Sequence, residues 1–141
     1  MCRVLHVLGM VWTLPNTMLG LIAGLAGCTA GARVHVSRRH LAIVFNRMPW
    51  GQGGALTLGN TILHTGDSLE CPCVTYAHRA GHGEEPEIVL ADHERAHVFQ
   101  YMALGPLFLP LYFLCGGISV RNRFERAADR YSQRGRGWWP W

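Results

Sequence analysis

The chain has 141 residues, enough for one domain with a real core and too few for two. Hydrophobic residues make up 49% and charged residues 16%, the apolar edge of soluble composition, and the apolar residues cluster in a way that points to membrane contact. The net charge of +4 is carried on the basic side by arginine alone, with no lysine anywhere, which excludes Schiff-base and lysine-base chemistry.

Residues 4–28 are almost uncharged and follow a single Arg3. Their length would cross a bilayer as one helix, but Pro15-Asn16 stands in the middle, where proline removes a backbone donor and clashes with the preceding turn. Two helical pieces are expected, at 5–13 and 16–27, and residues 1–30 read as a membrane-associating segment. Leu25-Ala26-Gly27-Cys28 looks like a lipobox, the signal at which bacterial lipoproteins are cleaved and acylated on cysteine. The lone Arg3 and the interruption at 13–17 fit a signal peptide poorly, so a retained segment and a lipid-anchored Cys28 both stay open.

From 31 to 64 the pattern changes to short β-like runs at Arg33–Val36, Leu41–Phe45, Ala55–Leu58 and Thr61–Leu63, punctuated by Pro49, glycines between 51 and 54, and Gly59-Asn60. A small antiparallel meander is the expectation. Residues 65–86 are polar and glycine-containing and read as a loop, with His78 and His82 solvated in it. Within that loop Cys71-Pro72-Cys73 is too tight for a disulfide between its own members. It either supplies metal ligands or simply turns the chain. The five cysteines form no disulfide framework.

Helix signals resume at Pro86, flanked by Glu84, Glu85 and Glu87, whose charge suits a helix N-terminus. The helix should run to about Leu104, where Gly105-Pro106 supplies a stop. It carries His93-Glu94-Arg95-Ala96-His97. Positions four apart project from one helix face about 6 Å from each other, so His93 and His97 can grip one ion. Zinc accepts two imidazoles in this geometry, and Glu94 can take a proton from water at the metal. Catalytic zinc wants a third protein ligand. A last helix, from about Asn122 to Gln133, offers Glu125 and, one turn later on the same face, Asp129. The alternative is plain: two hydrogen-bonded histidines on a half-buried helix, with Glu125 and Asp129 paired to nearby arginines.

Residues 98–120 contain no charged side chain, which by length reads as a transmembrane helix. One straight helix would separate His97 from Glu125 by roughly 35 to 40 Å, and no metal site could form. The stretch must turn back at Gly105-Pro106, Pro110 or Gly116-Gly117, as a helical hairpin that dips into one leaflet or packs on the N-terminal pieces.

His93, Glu94, His97, Glu125 and Asp129 together resemble the gluzincins, zinc metallopeptidases in which an E-x-x-x-D pair on a downstream helix follows the H-E-x-x-H helix. The resemblance covers residues 90–133 and implies zinc at His93, His97 and Glu125, Glu94 as general base, and Asp129 orienting a histidine ligand. It also implies a zincin-like α+β fold in a single domain over 1–141, with residues 87–141 as the helical half that holds the metal, and a peptide or protein as substrate. An edge strand to hold that peptide would come from residues 55–64. Gln100 and the stretch Glu125–Tyr131 further look like small bacterial HExxH proteins of uncharacterised role, and with the apolar stretches and the lipobox-like Cys28 the expected setting is a bacterial inner membrane or cell envelope. Tyr101 and Tyr131 are candidates for stabilising an oxyanion, or for core packing. Six arginines and three tryptophans crowd the last 21 residues. They suit a lipid headgroup layer or a solvated tail, and no nucleic-acid motif accompanies them. Two readings without catalysis stand beside the peptidase: a small integral membrane protein, and a metal-binding scaffold.

Overall fold

The computed structural model describes residues 2–51, 53–81 and 87–141. Its architecture is α+β. Helices α1 (Cys2–Trp12) and α2 (Leu14–Cys28) meet at a bend of 70°. Pro15 lies in the first turn of α2, where its missing N–H has no intrahelical partner to lose, so the proline starts a helix instead of interrupting one.

Strands β1 (Arg33–Ser37) and β2 (Ala42–Asn46) form one antiparallel pair, and β3 (Ala55–Leu58) and β4 (Thr61–His64) another. Strand β4 inserts between β2 and β3 and runs parallel to β2, so the order is β1-β2-β4-β3. The sheet is therefore mixed, which corrects the expected antiparallel meander. Burial explains it. All four residues of β4 are buried, so the strand needs neighbours on both edges and cover on both faces. β3, with Leu56 exposed, takes the edge.

On one face of the sheet, Ala42, Val44 and Ile62 pack against Leu90, Ala91, Val98 and Met102 of α4 (Leu90–Leu104). On the other, Phe45, Met48 and Leu63 meet α2. The face that α2 turns inward is small or polar: Asn16, Thr17, Gly20, Gly24 and Gly27. A Cβ on Gly24 would lie 2.4 Å from the Phe45 ring, so the helix backbone rests directly on the sheet. The Thr17 hydroxyl accepts from Asn60 N at 2.9 Å, and Thr61 Oγ1 donates to Thr17 O at 3.3 Å. Cleavage ahead of Cys28 would strip away this layer and uncover Phe45 and Leu63.

The stretch expected as a loop holds β5 (Pro72–Cys73), the short helix α3 (Tyr76–Arg79), and the chain leading to β6 (Ile88–Val89), which pairs with β5. That pairing corrects the helix start. Residues 88–89 are taken by the β ladder, and the helix begins at Leu90, whose N–H and that of Ala91 donate to Cys71 O and Leu69 O. His78 is exposed on α3. Glu84, Glu85, Pro86 and His82 lie outside the described residues. Cys28, Cys71, Cys73 and Cys115 are free thiols.

Helix α4 ends where expected, at Leu104. Gly105 follows at φ 55° and ψ −131°, a backbone region that only glycine enters readily. Its carbonyl accepts from Asn16 Nδ2 at 3.0 Å, and a Cβ there would meet Trp12 Nε1 at 2.4 Å. A 3-10 turn at Gly105–Leu107 leads into α5 (Phe108–Leu114). By length and composition Leu90–Leu114 could cross a membrane, but it is not a straight rod. The rings of His97 and Tyr112 lie 6.4 Å apart, whereas fifteen residues of straight helix would separate them by about 22 Å. Asn122 secures the second bend: Nδ2 donates to Tyr112 O and Gly117 O, while Oδ1 accepts from Phe124 N and caps α6 (Arg123–Arg134). Small residues, Ala96 and Ala128, let α4 and α6 approach closely. The C-terminal tail is tied down as well, with Trp138 O accepting from Gln100 Nε2 and Trp141 edge-on to Phe124.

Replacing Gly105 by alanine should cost about 1 to 3 kcal/mol, from left-handed strain and the clash with Trp12. The readout is a lowered denaturant midpoint at unchanged slope. A variant as stable as the wild type would show that the bend does not depend on this residue.

Candidate metal centre

Helix α4 presents His93 and His97 on the side that faces α6, and α6 returns Glu125 from its first turn. The three side chains are buried. His93 Nε2 lies 3.1 Å from His97 Nε2 and 3.2 Å from Glu125 Oε2, and His97 Nε2 lies 3.5 Å from that same oxygen. Ligand atoms bound tetrahedrally at about 2.0 to 2.1 Å stand about 3.3 Å apart. The observed triangle has that size before any ion is placed in it. Among the described residues, this is the group of His, Cys, Asp and Glu able to hold a metal.

The tautomers follow from the outer partners. His93 Nδ1 donates to Asp129 Oδ1 at 2.9 Å, and His97 Nδ1 donates to Gln100 Oε1 at 2.8 Å. Gln100 cannot flip without loss, because its Nε2 donates to Phe124 O and Trp138 O. With both Nδ1 atoms committed as donors, both Nε2 lone pairs point at the Glu125 oxygen. Two lone pairs and a carboxylate at this distance repel one another unless a cation sits among them.

Without a metal, that cation is a proton. Burial pushes the His93 imidazole down, but hydrogen bonds to Asp129 and Glu125 and the charge of Glu94 outweigh it and hold the ring at about 10. His97 is likewise raised, burial opposing and the Glu125 charge prevailing. Burial would raise the Glu125 carboxyl, yet His97 and His93 hold it well below the usual carboxylate range. The donor set therefore fits a divalent ion of borderline hardness, two imidazoles and one carboxylate, with the ion displacing imidazole protons.

Glu94 is buried beside this triangle, and its Oε2 accepts a hydrogen bond of 2.6 Å from Thr57 Oγ1 on β3. The Tyr112 hydroxyl donates to the second oxygen of Glu125. The site opens into a cleft of about 120 Å³ lined by Leu56, Thr57, Tyr101, Leu109, Phe113 and Ile118 together with the metal-site residues, room for a few waters or one side chain. A second, more polar recess adjoins it across Ala55, His93 and Glu94 and reaches Asp129.

Of the residues singled out by sequence, His93, Glu94, His97, Glu125, Asp129 and Tyr101 come together. Tyr131 does not reach the cleft: it packs edge-on to Phe99 with Arg95 over its ring. Thr57 and Tyr112 were not legible as site residues, since each arrives through a strand or a fold-back remote in sequence. Gln100 had a signal, because it stands three residues after His97 on one helix face. No protein-family model matches the chain, and no curated protein or solved structure matches it.

Metal uptake should release protons. Between pH 6.5 and about 10 the metal-free site holds a proton on His93 that a metal must displace. Apparent affinity should therefore rise about tenfold per pH unit for each proton released, and calorimetric heats should vary with the ionisation enthalpy of the buffer. His97→Ala and Glu125→Ala should lose equimolar metal. Retention of full metal by Glu125→Ala would remove the third ligand from this scheme.

Proposed function

We propose that the protein is a zinc-dependent peptidase of gluzincin type that hydrolyses an amide bond. The observation that carries this reading is the convergence of His93, His97 and Glu125 at 3.1, 3.2 and 3.5 Å beside the buried Glu94 carboxylate, at the floor of one cleft. Zinc suits two imidazoles and a carboxylate with a fourth position open, and when bound it supplies Lewis acidity that polarises a carbonyl and acidifies water.

The protein groups divide the remaining work. Thr57 occupies one oxygen of Glu94, which orients the carboxylate and leaves its other oxygen to accept a proton from the attacking water and pass it to the departing amine. Asp129 and Gln100 hold the two imidazoles in the tautomer that presents Nε2. Tyr112 holds Glu125 in place. Tyr101 lines the cleft, and burial raises its phenol well above the ordinary value, so it remains an O–H donor toward a developing oxyanion. Strand β3 stands at the end of the sheet, and its outer edge has no strand partner among the described residues. Ala55, Leu56 and Thr57 border the cleft, so an extended peptide laid along that edge passes over Glu94.

The test is Glu94→Gln in zinc-loaded protein, assayed on a library of synthetic peptides. The variant should keep equimolar zinc and lose about 10²- to 10⁴-fold in hydrolysis rate. Undiminished hydrolysis by the variant would sink the assignment of the base, and a wild type that takes up no zinc would sink the reading as a whole.

A further inference from the structure

Helix α2 is packed inside out. Its buried face is Asn16, Thr17, Gly20, Gly24 and Gly27, while Met18, Leu19, Ile22 and Leu25 point away from the protein, Ile22 at 63% exposure. In water the opposite arrangement is stable, with aliphatic side chains inward and polar ones outward. Small residues between closely packed backbones and large aliphatic ones outside is the pattern of a helix whose surroundings are hydrocarbon. Helix α1 continues this surface with Val4, Leu5, Leu8 and Val11, all exposed, and no charged residue occurs from 4 to 28.

The surface runs on to the cleft. The α1–α2 joint rests on Gly105, and Leu107 next to it is exposed. From there α5 leads to Phe113, Leu114 and Ile118, exposed by 65%, 82% and 71%. Phe113 and Ile118 line the mouth of the metal cleft. Directly beyond come the exposed Arg121, Arg123 and Arg126, with the Arg123 guanidinium 6.0 Å over the Trp141 ring. Arginine and tryptophan at the border of an uncharged apolar surface match a lipid headgroup layer. A second copy docking through the same face would bring two arginine rims of like sign toward each other, which disfavours it.

Helix lengths decide between spanning and lying in the membrane. At 1.5 Å per residue, α1 is about 16 Å and α2 about 22 Å long, against a hydrocarbon core of about 30 Å. The bend of 70° prevents their lengths from adding. We propose that α1, α2 and the end of α5 insert as a wedge into one leaflet of a bilayer, holding the mouth of the metal cleft at headgroup level. If the peptidase reading holds, the substrate is an extended apolar chain segment lying at the membrane surface, which reaches the edge of β3 from the lipid side.

Flotation of the full chain with lipid vesicles tests the wedge directly, independently of zinc or hydrolysis. Vesicles of phosphatidylcholine, with and without phosphatidylglycerol, are mixed with protein exchanged out of detergent. The wild type should float with both. Leu19→Glu/Ile22→Glu should lower the bound fraction at least about tenfold, and Phe113→Glu/Ile118→Glu should lower it as well. Val36→Glu, which changes an exposed aliphatic residue on the far edge strand β1, should float like the wild type. Circular dichroism shows that each variant is folded. A wild type that stays in the aqueous phase as a discrete dimer, an α2 double variant that floats unchanged, or a Val36→Glu loss as large as that of the α2 variant would each overturn the proposal.

Discussion

His93 Nε2, His97 Nε2 and Glu125 Oε2 converge within 3.5 Å in a buried site, a group able to hold a cation among them. The helical half of the protein is organised around this constraint. α6 must lie against α4, which the Ala96–Ala128 contact permits. The chain between them must double back, and Gly105 and Asn122 make the two bends. Asp129 and Gln100 must each accept from an imidazole Nδ1, or the lone pairs would point elsewhere. Removing one partner from a buried charge cluster of this kind leaves an uncompensated charge and destabilises the fold around it.

The sheet serves the same site from the other side. β3 carries Thr57 to Glu94 and borders the cleft. It sits at the edge because β4, buried throughout, claims the interior beside β2. The small-residue face of α2 covers the rest of the sheet, and Met18, Leu19, Ile22 and Leu25 remain outside. Apolar cover for the sheet thus comes from the helix backbone together with Leu21 and Ala23, while those four side chains are left for the surroundings.

Several elements were readable from local chemistry. The break near Pro15, the end of α4 before Gly105-Pro106 and the start of α6 at Asn122 follow from backbone rules that act over one turn. The start of α4 is not legible, because acidic residues and Pro86 favour a helix where β6 pairs with β5, a contact between chain segments some fifteen residues apart. The strand order is hidden for a similar reason: four β-like runs in succession say nothing about which strand is buried on both faces. Tyr131 shares a helix with Glu125 but turns toward Phe99, and Tyr112 takes the place beside Glu125 that no periodicity could indicate.

By itself the sequence determined the His93–His97 pair and Glu94 beside it, since a spacing of four residues puts groups on one helix face whatever the rest of the chain does. It also determined that residues 98–120 either cross a membrane or turn back, because a charge-free stretch of that length allows both. The tertiary structure alone shows that the chain turns back. Gly105 against Trp12 and Asn16, and Asn122 against Tyr112 and Gly117, set the return path, and only that path carries Glu125 to the histidines and Thr57 to Glu94. Those contacts join residues distant in the chain, and their energy depends on packing that local propensity does not encode.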